Sequence, residues 1–178
     1  GPTPLKLALA GVATSVAFVS LVLAVMLSHG NVAGGLQSWQ VGGVGGATFA
    51  RMAHVLPFLA AGFAIGLGCA RKLNSLALGD DMAAGLGERV ALARGLASLG
   101  AILLCGATTA ICGPIAFVGL MVPHLCRLLA GVDHRWLLPF SALAGACLLI
   151  ASDIAGRLIA RPSELDVGIV TAFIGAPF

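Results

Sequence analysis

Asp153 and Arg157 stand four residues apart inside an otherwise apolar stretch. That spacing puts both on one face of a helix, where a carboxylate and a guanidinium can pair. An ionisable group at bilayer depth turns toward a bundle interior or a water-filled cavity, because exposure to hydrocarbon is expensive. The pair therefore reads either as a structural ion pair or as an element of transport or docking. Arg157 is nearer the end of its stretch and can extend its charge to the surface. Bond chemistry finds little support elsewhere. His29, His54, His124 and His134 show neither HExxH nor His-x-His spacing. His124 and Cys126 are two apart and point to different helix faces, so no metal site is expected. Cys69, Cys105, Cys112, Cys126 and Cys147 lie in or beside apolar runs without CxxC spacing, as small packing residues do. Serine and threonine hydroxyls within such runs can bond to carbonyls one turn back, so no nucleophile with a base stands out and no enzyme is expected. The glycines from Gly42 to Gly46 lack the following Lys-Ser/Thr of a phosphate loop and read as a flexible external connection. No cofactor is called for, and without an aromatic and basic patch nucleic acid is not a partner.

These few polar groups sit in a chain of 178 residues that is 59% hydrophobic and only 10% charged. A water-soluble domain carries about 25% charged residues, so the solvent implied is lipid. Abundant aliphatics exclude disorder, and long continuous apolar runs exclude a porin-like barrel, whose strands alternate. The expected fold is all-α, a polytopic transmembrane helix bundle. Apolar stretches cover 5–28, 49–70, 90–112, 115–130 and 137–160, with a sixth starting at 168 and ending after about eleven residues where about twenty are needed. Five full spans and a truncated sixth, together one domain over 1–178, are the reading, and the chain reads as part of a longer protein. The fourth stretch is short and parted from the third only by Gly113 and Pro114, which implies a tight turn or broken helix. Pro57, Pro123 and Pro139 are further places where helices are expected to open or break; Gly113, Pro114 and Pro123 are the candidates for helix breaks used in gating. Gly62 and Gly66 suit close helix packing.

Lysine and arginine are retained on the cytoplasmic side of membranes. Placing 71–94 inside puts Lys6, Arg71, Lys72, Arg89, Arg94, Arg127 and Arg135 inside, leaving Arg51, Arg157 and Arg161 outside. The segment 71–89 is then a cytoplasmic connection too long for a minimal hairpin. Leu76, Leu78, Met82 and Leu86 can form the apolar side of a short helix, with Asp80, Asp81 and Glu88 facing water and Gly79, Gly85 and Gly87 limiting its length. It could dock a partner or rest on lipid headgroups.

Several stretches together resemble a family. Cys112-Gly-Pro-Ile-Ala-Phe-Val-Gly-Leu-Met-Val-Pro-His124, followed by Asp133-His134-Arg135, is similar to the permeases of bacterial ABC importers for iron-siderophores, haem and cobalamin, the FecCD-like permeases. The run from Leu73 to Asp80, the span from Leu137 to Asp153 and the run from Glu164 to Pro177 follow the family's order. Ala116 stands where the family often has glycine, and Asp166 where it often has proline, which questions the rigidity of the turn before the last span.

The resemblance implies a type II importer permease subunit in the bacterial inner membrane, and this chain would be its C-terminal part. The implied partners are a second permease subunit or half, cytoplasmic ATP-binding subunits, an extracytoplasmic binding protein and an iron chelate as substrate. ATP hydrolysis would belong to the separate subunits. Leu76, Ala77, Leu78, Gly79, Asp80, Met82 and Gly85 would form the ATPase-coupling segment, and Arg157 and Arg161 would meet acidic lobes of the binding protein. A haem or cobalamin permease is the nearest alternative. An ion-coupled transporter or channel using Asp153 is the alternative from another class.

Overall fold

The computed structural model describes residues 4–28, 39–45, 47–160 and 165–177. Residues up to 38 and those from 39 onward form separate units. The first contains α1, Pro4–Ser28, a 25-residue helix. At 1.5 Å per residue it is about 37 Å long, enough to cross a bilayer. Two of its hydroxyls turn back to the helix as expected: Thr14 Oγ1 donates to the Ala10 carbonyl at 2.8 Å and Ser20 Oγ to that of Val16 at 2.9 Å. Neither leaves a donor facing lipid.

The second unit comprises α2 (Phe49–Leu76), α3 (Asp80–Gly85), α4 (Val90–Cys112), α5 (Val118–Ala130), α6 (His134–Ile159) and α7 (Val167–Gly175). No strand occurs among the described residues. Four helices, α1, α2, α4 and α6, are long and apolar enough to span a membrane, and α5 is a shorter apolar helix. Large apolar side chains cover the outside, including Ile102 at 67% and Leu143 at 68% exposure. Water would not tolerate that surface; hydrocarbon or further helices would.

The bundle packs α2 along α4, α5 against α6, and α6 against both α2 and α7. At the first of these contacts a Cβ on Gly62 would lie 2.8 Å from Leu104 Cγ, and one on Gly100 would lie 3.1 Å from Ile65 Cγ2. Small residues let two backbones approach, which is how membrane helices gain dispersion contact without a hydrophobic drive. Gly62 and Gly66 do line one helix, but the partner that matters is Gly100. Between α5 and α6, buried Val122, Cys126 and Leu137 form the apolar core, with Val118 and Leu148 against them.

Helix limits follow local chemistry. Thr48 caps α2, its hydroxyl accepting from Arg51 N. This helix continues past the apolar run through Arg71 and Lys72 to Leu76, because a backbone leaving the bilayer keeps its hydrogen bonds by remaining helical. Gly113, at φ 72°, ends α4. Pro57, Pro123 and Pro139 do not interrupt anything: α2, α5 and α6 run through them. Each removes one amide donor, a loss that membrane helices accommodate locally. Of the three proposed break residues, then, Gly113 and Pro114 mark a break and Pro123 does not.

Candidate functional site

At one end of the bundle α3 packs on the C-terminus of α2 and the N-terminus of α4, and the last turn of α2 also reaches the N-terminus of α6. Leu76, Leu78, Met82 and Leu86 were expected along one short helix, but that helix occupies only Asp80–Gly85. Leu76 instead closes α2, and Gly79 at φ 101° reverses the chain before α3 begins. A left-handed glycine on each side, Gly79 and Gly87 at φ 83°, sets its length. Ala83 is fully buried underneath, while Leu78, Met82 and Leu86 are 60–65% exposed. The segment therefore presents apolar side chains away from its own bundle. Ala77, Asp80 and Gly85 are exposed as well. Arg94 Nη2 reaches Asp80 Oδ1 at 2.7 Å, with both side chains more than half exposed.

A second contact at this end was not visible in the residues. Asn74, in the last turn of α2, donates its Nδ2 to Asp133 Oδ1 at 2.6 Å. A carboxylate only accepts, so the amide orientation is fixed and Asn74 Oδ1 faces His134. It accepts from His134 N at 2.9 Å and from His134 Nδ1 at 2.7 Å, which assigns the ring proton to Nδ1. Asp133 is also the N-cap of α6, accepting from Arg135 N at 3.0 Å. The Arg135 amide, with the Asn74 side chain second, holds its carboxyl below the ordinary value. Two motifs far apart in sequence thus meet. Their presence was legible, but their pairing was not, since nothing in either motif names its partner.

The opposite end is closed by backbone. Gly43 N donates to the carbonyl of Cys112 at 2.8 Å, completing the end of α4, and Gly168 N donates to the carbonyl of Gly42 at 2.9 Å. Trp39 Nε1 donates to the carbonyl of Thr109 at 3.1 Å. A Cβ on Gly113 would overlap Trp39 O, and one on Gly168 would overlap Val41 O. The glycine-rich run, read as a flexible connection, is in this part a packed strap over the break at Gly113 and Pro114. Asp166 holds φ −62°, within the range a proline ring imposes, so the turn before α7 keeps its shape without the ring. Phe117, at φ 66°, is the one non-glycine residue in the left-handed region among those described. It ends the non-helical segment 113–117 and opens α5, and a Cβ on Gly175 would overlap its side chain.

Arg157 Nε donates to Asp153 Oδ2 at 2.9 Å, as their spacing implied. The pair lies at this same end, with a side-chain exposure of 46% for Arg157 and 26% for Asp153. Arg161, His29 and Gly46 lie outside the described residues. No cluster of three or more His, Cys, Asp or Glu side chains suited to a metal occurs among the described residues.

The model of the FecCD transport family matches residues 1–178. The chain belongs to the FecCD transport family. It is 42% identical over 178 residues to the iron(3+)-hydroxamate import system permease protein of Bacillus subtilis, covering 100% of this chain and 46% of that protein. It is 47% identical over 176 residues to the ferric enterobactin transport system permease protein of Escherichia coli, covering 98% and 52%. Among solved structures, one described as an inward-facing conformation of a metal-chelate type ABC transporter matches with a TM-score of 0.84 and 29% identity, over 99% of this chain and 57% of that one. The chain spans about half the length of the curated relatives it matches. As a member of the FecCD family with several apolar helices, it is a multi-pass membrane protein.

Proposed function

We propose that this chain is part of the permease subunit of an ATP-driven importer that moves an iron-siderophore complex across the cytoplasmic membrane. The observation that carries the reading is α3: a short helix between left-handed glycines, presenting Leu78, Met82 and Leu86 outward at the end where the basic residues gather. Family membership and relatives named for hydroxamate and enterobactin import support the substrate class. In this reading the basic end faces the cytoplasm, α3 sits against a separate ATP-binding subunit, and the chain itself breaks no bond. A second permease copy or half completes the path, and a binding protein delivers the chelate on the other side. The segment 71–89 is the coupling element of a single transmembrane domain.

Closure of the ATPases would push α3, and the bundle would tilt between access states. The break at Gly113 and Pro114, strapped by Gly42 and Gly43, is the place where α4 and α5 can pivot with little helix to unwind. The test is uptake of a labelled ferric siderophore into proteoliposomes holding the assembled importer and its binding protein. Uptake that requires ATP on the side of the ATPase subunits is expected. Uptake driven by a proton gradient alone would replace this reading with an ion-coupled transporter using Asp153, and uptake of haem or cobalamin in place of the siderophore would replace the substrate.

A further inference from the structure

We infer that Asn74 is a positioning residue that transfers displacement of α3 directly to α6, making α6 the rod that joins the two ends of the bundle. The inference rests on the coupling role proposed for α3. Three consecutive backbone bonds fold the connection onto the end of α2: Ala77 N to Leu73 O at 3.0 Å, Leu78 N to Ser75 O and Gly79 N to Leu76 O, both at 3.1 Å. Ala83 N then donates to Gly79 O at 3.0 Å, so α3 begins on the residue that ends this turn. A push on α3 therefore reaches the last turn of α2 through a hydrogen-bonded corner.

From that corner two polar routes lead onward. One is the Arg94–Asp80 pair, between side chains that are 62% and 56% exposed. Such pairs are screened by water and hold two flexible side chains poorly. The other is Asn74, whose amide makes three hydrogen bonds to the cap and the first residue of α6. One of its bonds goes to a carboxylate, the stronger kind, and the acceptor atom is shared with the Arg135 amide, the bond by which Asp133 caps α6. Asn74 cannot move relative to α6 without also disturbing that cap. The stroke is thus handed to α6 at its N-terminus, where Leu137 is buried against α5.

The far end of α6 is equally engaged. A Cβ on Gly156 would lie 2.6 Å from Leu165 O and 3.4 Å from Val170 Cγ2, so the return to α7 rests directly on the helix backbone. The Asp153–Arg157 pair stands on the same helix. With 26 residues, α6 is about 39 Å long and carries movement across the bilayer as one body.

The test exchanges the two partners. N74D sets a carboxylate against Asp133. D133N in the same chain restores a donor at position 133 and keeps a residue suited to the N-cap, while the carboxylate at position 74 still accepts from His134 N. In proteoliposomes of the assembled importer, chelate moved per ATP hydrolysed should fall at least about fivefold in N74D and return to within about twofold of wild type in N74D/D133N, with hydrolysis and the amount of assembled complex maintained throughout. A wild-type ratio in N74D would overturn the inference, as would a double variant no better than N74D, or hydrolysis and uptake falling together in N74D. Wild-type uptake is measured first in the same vesicles. Uptake independent of ATP there defeats the importer reading itself, an outcome separate from failure of the exchange.

Discussion

Gly168 N donates to the carbonyl of Gly42 at 2.9 Å, tying the strap to the first turn of α7 through backbone alone. A methyl group at 168 would overlap Val41 O and come 2.9 Å from Gly42 O, atoms that no rotamer change can move. Gly168→Ala should therefore destabilise the protein by about 1–3 kcal/mol. Gly68→Ala, where nothing lies within 4 Å, should stay within about 0.5 kcal/mol of wild type. Thermal unfolding in detergent, followed by circular dichroism, compares them; equal shifts would contradict the strap.

At Gly79 the φ of 101° is far from the −65° or so that proline enforces. Gly79→Pro should displace α3 while leaving the spans assembled, and ATP hydrolysis should continue without uptake. Ala77→Arg puts a charge on the exposed connection and should produce the same uncoupling. Normal transport by both variants would remove α3 from the coupling role.

Reversing Arg157 and Arg161 to glutamate tests the binding-protein contact. Exposed charges act mainly on encounter, so the association rate should fall by at least about threefold and lose part of its salt dependence. Like charges at 153 and 157 would also cost α6 about 0.2–0.5 kcal/mol, too little to dismantle the fold. An unchanged rate would leave Arg157 as the structural partner of Asp153.

Phe117 keeps a left-handed backbone that costs a side-chain-bearing residue about 1–2 kcal/mol. Both Phe117→Ala and Phe117→Gly lose the ring against Gly175, but only glycine relieves the backbone. The glycine variant should therefore melt higher than the alanine variant by about that margin in the same detergent assay. The reverse order would mean that the ring contact, and not the conformation, sets the energy there.

The spans were legible because a bilayer leaves a one-dimensional trace: about twenty apolar residues without charge. So the α4 limits at 90 and 112 follow from composition, and α2 overruns its apolar stretch only because helical hydrogen bonding does not stop where lipid does. The Asp153–Arg157 pair was legible for a similar reason, since both partners lie on one helix at a fixed spacing. Contacts between elements left no such trace. Asn74 has no feature that marks Asp133 as its acceptor, and Gly62 none that marks Gly100. The strap was misread because glycine reports the absence of a side chain, which serves equally for freedom and for backbone packed too closely to admit a Cβ. Proline was misread in the opposite sense: at Pro57, Pro123 and Pro139 it removes a donor, but the helix continues through it.

The Gly42–Gly168 bond also orders assembly. Its acceptor is synthesised well before its donor, so this closure cannot form until α7 has been made. Transfer of that carbonyl to Gly168 consequently follows the synthesis of α7, which acts as a latch on the strap.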